Sequence, residues 1–127
     1  MIFGIGTDIV EIERMQELLV KHGDKAAQKI LSDDEFNEFQ QAVNPAAFLA
    51  KRFAAKEAAA KAFGTGFREG LNLRHIAVKN NALGRPELNF SQRARELLTE
   101  LSIGAYFLSL SDEQHYAIAY VIMEQKT

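Results

Sequence analysis

The chain has 127 residues, with 15 Lys and Arg against 17 Asp and Glu and a formal charge of −2. That length suits one domain, residues 1–127. A make-up of 47% hydrophobic and 25% charged residues is that of a globular protein rather than a disordered one. Cysteine and tryptophan are absent, which excludes a disulfide framework, a zinc–thiolate site and a cysteine nucleophile.

In chain order, Ile2 to Asp8 is apolar and ends in Gly-Thr-Asp, the pattern of a buried strand entering a turn. Ile12, Met15, Leu18 and Leu19 recur at helical spacing, and Gly23 supplies a stop. A short amphipathic piece spans Asp24 to Leu31. Ser32 and Glu35 form a capping box for a helix that carries Phe36 and Phe39. Asn44-Pro45 then opens a helix from Pro45 to Phe63, rich in Ala, Leu, Lys and Glu, with Gly64 as its C-terminal cap. Ile76 to Lys79 and Glu87 to Phe90 read as two strands joined across Leu83 to Pro86. Ser91 caps a helix through Leu101, closed by Gly104. Tyr106 to Leu110 and Tyr116 to Met123 make a final hairpin across Ser111 to His115. The order of strand, helices, two strands, helix and hairpin predicts an α+β fold.

The N-terminus meets Asp8 before any secretory apolar stretch is complete, so it is not read as a signal peptide. The longest apolar run, Tyr116 to Met123, falls far short of the ~20 residues that span a bilayer. A soluble, intracellular protein is expected. A chain this small has little depth for an enclosed site. A surface cleft, or one completed by a second subunit, is therefore expected.

Charge is unevenly spread. Pro45 to His75 carries six bases (Lys51, Arg52, Lys56, Lys61, Arg68, Arg74) and two acids (Glu57, Glu69), a local excess of +4. Such a stretch is either a solvated helix face or a docking place for an anion. Within it, Glu57 and Lys61 stand four residues apart, the spacing of an ordinary surface ion pair. They also lie along the rim of a stripe formed by Leu49, Phe53, Ala60 and Phe63, with Ala50, Ala54 and Ala58 beyond. A carboxylate so placed is either half of that surface pair or sits in a groove. Lys56 falls inside the stripe and must snorkel out or meet an anion.

Asp8 has two readings as well. It is a helix N-cap for a segment beginning near Ile9, or it is a metal ligand. Magnesium is typically held by one or two carboxylates plus substrate phosphates. Asp8 and Glu57 can supply those carboxylates, and Lys61 the charge for phosphate oxygens. Gly64-Thr65-Gly66 can turn backbone N–H groups toward an anion, and Gly84-Arg85-Pro86 is a hairpin turn before it is an anion contact. His22, His75 and His115 have no metal-ligand spacing, and no serine elbow or Walker loop is present.

GIGTDIVEIERM at Gly4 to Met15 and FLAKRFAAKEAAAKAFGTG at Phe48 to Gly66 closely resemble the two signature regions of the small, single-domain branch of the 4′-phosphopantetheinyl transferase superfamily, the holo-acyl-carrier-protein synthases. The Gly-x-Asp strand end comes first and Phe-x-x-Lys-Glu-Ala-x-x-Lys follows about 45 residues later, as the family's order requires. The two strings cover about a quarter of the chain. The resemblance implies the family fold, an antiparallel sheet packed against a long helix. It implies transfer of the 4′-phosphopantetheine arm of coenzyme A to a serine of apo-acyl carrier protein, in fatty acid biosynthesis. Asp8 and Glu57 match the family's magnesium ligands. Lys61 matches a lysine near the diphosphate, and with Glu57 forms the catalytic pair. Glu57, or a water held by it and the metal, takes the serine proton. Arg52, Lys61, Gly64, Thr65, Gly66, Gly84, Arg85 and Pro86 match segments lining the coenzyme A site. Arg14 matches a residue that docks the acidic carrier, assisted by Leu18, Lys21 and Lys25. A cytoplasmic homotrimer with clefts between subunits is implied. Many relatives place histidine after the Ser-x-Ser strand end of the last hairpin, whereas Ser109-Leu110-Ser111 is followed here by Asp112.

Two rival readings use the same residues. One is a non-catalytic module binding an anion or nucleic acid through residues 45–75, which needs no Asp8–Glu57 pairing. That stretch lacks aromatics interleaved for base stacking, and the chain is acidic overall. The other is a different magnesium-dependent diphosphate-cleaving enzyme, for which no competing motif exists. Neither nucleic acid nor a membrane is an expected partner.

Overall fold

The computed structural model describes residues 1–127. Five strands and five helices follow one another as β1 (Ile2–Glu11), α1 (Ile12–His22), α2 (Asp24–Ile30), α3 (Asp33–Gln41), α4 (Pro45–Phe63), β2 (Ile76–Asn80), β3 (Pro86–Phe90), α5 (Gln92–Glu100), β4 (Ile103–Asp112) and β5 (Tyr116–Gln125). A short 3-10 turn at Leu73–His75 leads into β2. Two antiparallel sheets result, one in the order β1-β5-β4 and one pairing β2 with β3. The fold is α+β, with the antiparallel sheet laid against α4.

α4 is buried almost all round, because the sheet covers one side and α3 and β2 approach the other. A helix enclosed this way needs small residues where backbones come close. Ala58 and Ala62 supply them on α4, and Gly4 and Gly6 supply them on β1. A Cβ built on Gly4 would stand 2.0 Å from the Ala62 carbonyl oxygen, and one on Gly6 1.8 Å from that of Ala58. Strand and helix main chains therefore touch directly. Inward residues of β5 (Ala117, Ala119, Val121, Met123) complete the same layer, and one core of 29 buried residues runs through the whole.

The other sheet face is bare. Ile5 pairs with Ile122 and Ile122 with Phe107 across the three strands, while Ile9, Tyr116 and Tyr120 extend the patch. Ile5, Ile9 and Tyr120 are 59%, 58% and 54% exposed. Thr7 and Ser109, either side of Tyr120, are polar positions within it.

The caps follow the sequence. Ser32 and Glu35 close their capping box, Asn44 accepts from the Ala47 N–H, and Gly64 ends α4 in the left-handed region at φ 85°. Gly23 ends α1. Three expectations are corrected. Asp8 is no N-cap: β1 continues to Glu11, and α1 starts at Ile12 with no side-chain cap. Ser91 precedes α5 without capping it through its side chain. Gly104 lies inside β4 rather than closing α5, which ends at Glu100 with Leu101 as its C-cap.

Lys56 meets an anion inside the core. Its Nζ donates to Glu35 Oε1 at 2.6 Å, to the Leu73 carbonyl at 3.1 Å and to the Ile76 carbonyl. An ammonium has three donors and all are used. Burial pulls the Lys56 pKa below its ordinary value, and the Glu35 charge opposes that. Glu35 Oε2 accepts from the Val78 N–H at 2.9 Å, so one carboxylate ties α3, α4 and β2 together. We expect Lys56→Met to cost about 3 kcal/mol, because it leaves the buried Glu35 carboxylate with only the more distant Arg52 Nε, at 3.7 Å, as a cation. Adding Glu35→Gln should recover part of that loss. Chemical denaturation measures both, and a single variant as stable as the parent would remove the network from the account of the fold.

Candidate active site

Alternation along β1 puts Gly4, Gly6 and Asp8 on the face toward α4. Because Gly6 lies against Ala58 and Gly4 against Ala62, Asp8 arrives beside the next turn of the helix. Glu57 and Lys61 occupy the positions just before those two alanines. The Lys61 Nζ donates to Asp8 Oδ1 at 3.1 Å and to the Thr7 carbonyl at 2.9 Å. It is therefore tied to β1, not to Glu57 as a simple i,i+4 pair would be. The Asp8 side chain is 18% exposed and that of Lys61 54%.

Burial pushes the Glu57 carboxyl above its ordinary pKa, the Asp8 charge pushes it further, and Lys61 pulls it back. Two acids thus sense each other, and the one lysine beside them pairs with Asp8 alone, a charge balance that favours one more cation. No group of three or more His, Cys, Asp and Glu side chains gathers anywhere in the chain. A two-carboxylate set leaves most coordination to water and substrate oxygens, which suits magnesium and not zinc. The residues present fit that ion. Asp8→Asn removes a negative charge that raises Glu57, so the Glu57 titration should move down toward the ordinary carboxylate range. Carboxyl-carbon NMR of the metal-free protein reads this, and an unmoved titration would mean the two acids do not sense each other.

The other predicted residues separate into groups. Gly64, Thr65 and Gly66 leave α4 one turn beyond Lys61, with the Gly64 N–H on the Lys61 carbonyl and the Thr65 hydroxyl donating to the Gly66 carbonyl. Gly84 and Arg85 lie in the β2–β3 turn and Pro86 opens β3. There the Asn81 side chain accepts from the Leu83 and Arg85 N–H groups, and Gly84 takes φ 84°. Arg85 and Pro86 also line a hollow of about 390 Å³ with Tyr106 and Phe107 of β4. That places them beyond the far edge of the sheet from β1 and Asp8. Arg52 does not join Asp8 and Glu57. It lies five positions before Glu57, about 140° round the helix, buried with Nη2 on Glu38 at 3.2 Å and its guanidinium over the Phe48 ring. On α1, Arg14 and Lys21 are exposed, as is Lys25 on α2, while Leu18 is half-buried against the core. None of these three cations has an ion-pair partner.

The basic stretch expected over residues 45–75 is not an open patch. Arg52 and Lys56 are buried on Glu38 and Glu35, Lys61 pairs with Asp8, and Arg74 pairs with Asp33 at 2.6 Å. Lys51 sits 3.9 Å from Asp112. Its charge is largely spent within the fold. Sequence reasoning missed the Thr7 carbonyl as a partner of Lys61, since a main-chain acceptor leaves no sequence signal. It also missed Glu35 as the anion that Lys56 required, since the capping box already explained that glutamate.

The sequence model of the 4′-phosphopantetheinyl transferase superfamily matches residues 4–121, a span that includes Asp8, Glu57 and Lys61. The chain belongs to that superfamily. Within it, a holo-acyl-carrier-protein synthase of Hamiltonella defensa subsp. Acyrthosiphon pisum is 56% identical over 123 residues, covering 97% of this chain and 98% of the relative. The synthase of Yersinia enterocolitica is 52% identical with the same coverage. Among solved members, the synthase of Neisseria meningitidis superposes with a TM-score of 0.94 at 46% identity, covering 98% of this chain and 100% of that one. That of Bacillus anthracis, in complex with CoA (3′,5′-ADP), has a TM-score of 0.83 at 34% identity and covers 99% of both. The superfamily fold therefore runs through nearly the whole chain, and the synthase branch supplies the similar proteins.

Proposed function

We propose that this protein is a magnesium-dependent holo-acyl-carrier-protein synthase. It transfers the 4′-phosphopantetheine arm of coenzyme A to a serine of apo-acyl carrier protein. The observation that carries this reading is the meeting of Asp8, Glu57 and Lys61 in a chain similar end to end to such synthases. In the reaction the serine Oγ–phosphorus bond forms, the diphosphate bridge breaks, and adenosine 3′,5′-bisphosphate leaves. Asp8 and Glu57 would hold magnesium, which neutralises charge on the diphosphate oxygens. Lys61, more than half exposed, brings its ammonium to the same oxygens. Glu57, or a water it holds, would take the serine proton. Gly64, Thr65 and Gly66, together with Arg85 and Pro86, line the path of coenzyme A. Arg52 serves the scaffold.

Asp8 lies on β1 at one edge of the sheet, and the Arg85 turn packs toward β4 at the other. A coenzyme A site built from both is incomplete in one chain, and the bare apolar sheet face offers a contact for another. A homotrimer with clefts between subunits satisfies both observations. Exposed and unpaired Arg14, Lys21 and Lys25 suit an acidic carrier. No helix is long and apolar enough to cross a membrane, in keeping with work on a cytoplasmic carrier of fatty acid biosynthesis.

The test incubates the protein with coenzyme A, magnesium and apo-acyl carrier protein and weighs the carrier by mass spectrometry. A gain of one phosphopantetheine is expected. No gain where a known transferase succeeds would reject the activity. Lys61→Ala in the same assay should lose about a hundred-fold or more in rate, and near-normal turnover would reduce Lys61 to a structural ion pair. Sedimentation should give three times the chain mass, and a monomer would remove the interface reading.

A further inference from the structure

The segment that leaves α4 is unusually bent. Gly64, Gly66, Glu69 and Gly70 all take positive φ, at 85°, 63°, 57° and 87°. Glycine adopts such angles freely, but glutamate does so at a cost. The near end of the segment is pinned to α4 by the Gly64 N–H on the Lys61 carbonyl and the Gly66 N–H on the Ala60 carbonyl. The far end is held by one side chain from another element. Arg93, in the first turn of α5, donates through Nε to the Glu69 carbonyl at 2.6 Å. Its Nη1 reaches Glu96 at 3.0 Å and Glu100 at 2.5 Å, and its Nη2 reaches the second Glu100 oxygen at 3.2 Å. Two acids of its own helix thus aim the guanidinium, leaving Nε for the loop. The stem of Arg93 lies over Gly70, where an added Cβ would stand 3.5 Å from its Cγ.

We propose that Arg93 is a positioning residue of the coenzyme A site. It holds the Glu69-Gly70 bend and thereby fixes the Gly64–Gly66 loop one turn beyond Lys61. This rests on the reading that the loop lines the path of coenzyme A. Arg93 is near the surface, so its ion pairs add little to global stability. Their effect falls on the loop.

In the transfer assay with saturating carrier, Arg93→Gln is expected to raise the KM for coenzyme A about ten-fold while kcat stays within about two-fold. Arg93→Lys keeps the charge but loses the fork, and its KM should lie between. Backbone amides of residues 66–71 should exchange with deuterium about ten-fold faster in Arg93→Gln, with the core unchanged. An unaltered coenzyme A KM, or a parallel fall in kcat and melting temperature in both variants, would overturn the proposal. Absence of transfer by the unsubstituted protein would overturn the functional reading and this inference with it. Transfer with an unshifted KM would overturn the inference alone.

Discussion

Alanine in place of Asp8 or of Glu57 is expected to lower phosphopantetheine transfer by about a thousand-fold or more, with the fold intact. The two effects have one cause. Each acid alone gives a weak site, and the charge they concentrate together is what a divalent cation requires. Stability should move the other way at Glu57. Its pKa is raised in the folded chain by burial and by Asp8, so the ionised carboxylate is less favourable folded than unfolded. Above its raised folded pKa it therefore subtracts from stability, and this penalty fades as pH falls through that pKa and is gone below the ordinary carboxylate value. Glu57→Ala removes the penalty and adds a strong helix former. At neutral pH and without metal, its melting temperature should equal or exceed that of the parent. Steady-state rates with calorimetry decide the matter. Unchanged rates in both variants would remove the metal assignment, and collapse of the fold would make the pair structural.

Gly6→Ala is expected to cost at least about 3 kcal/mol, the upper end of ordinary overpacking. The added methyl would meet the Ala58 carbonyl oxygen at 1.8 Å and the Ala62 nitrogen at 2.8 Å. Both are main-chain atoms of a buried helix, so no rotamer change relieves the clash. Either β1 lifts from α4 or the chain unfolds. If β1 lifts, Asp8 moves with it and transfer is lost too. Gly104→Ala is the control. There the nearest atoms are the Lys126 Cγ at 2.8 Å and Cα at 3.1 Å, in a residue beyond the end of β5 that can shift, and the loss should be smaller. Denaturant midpoints that agree for the two variants would show that the strand-to-helix contact is looser than described.

Much of the scaffold was legible because local chemistry and tertiary packing agree. Pro45 and Gly64 bracket α4, and Ser32 with Glu35 opens α3, since caps act within one turn. The end of β1 was misplaced because Gly-Thr-Asp reads locally as a turn, whereas pairing with β5 carries the strand through to Glu11. Gly104 looked like a helix stop and is a strand residue with little room above it. The two signature strings pointed to Asp8, Glu57 and Lys61, but their physical link lay in glycines that carry no side chain. Lys61 has Glu57 at the favoured spacing along the helix, yet it bonds to Asp8 and Thr7, which sit 53 and 54 residues earlier. The positive run from 45 to 75 is less open than its charge suggests for a related reason: the acidic partners Glu35, Glu38, Asp33 and Asp8 lie N-terminal to it.

Peptide backbones in direct contact do more than save space. They leave little slack between the carboxylates they carry, whatever the rotamers of neighbouring groups. On the proposed reading, capture of magnesium would require no loop to order and no helix to form, so little of the binding free energy would be lost to conformational rearrangement.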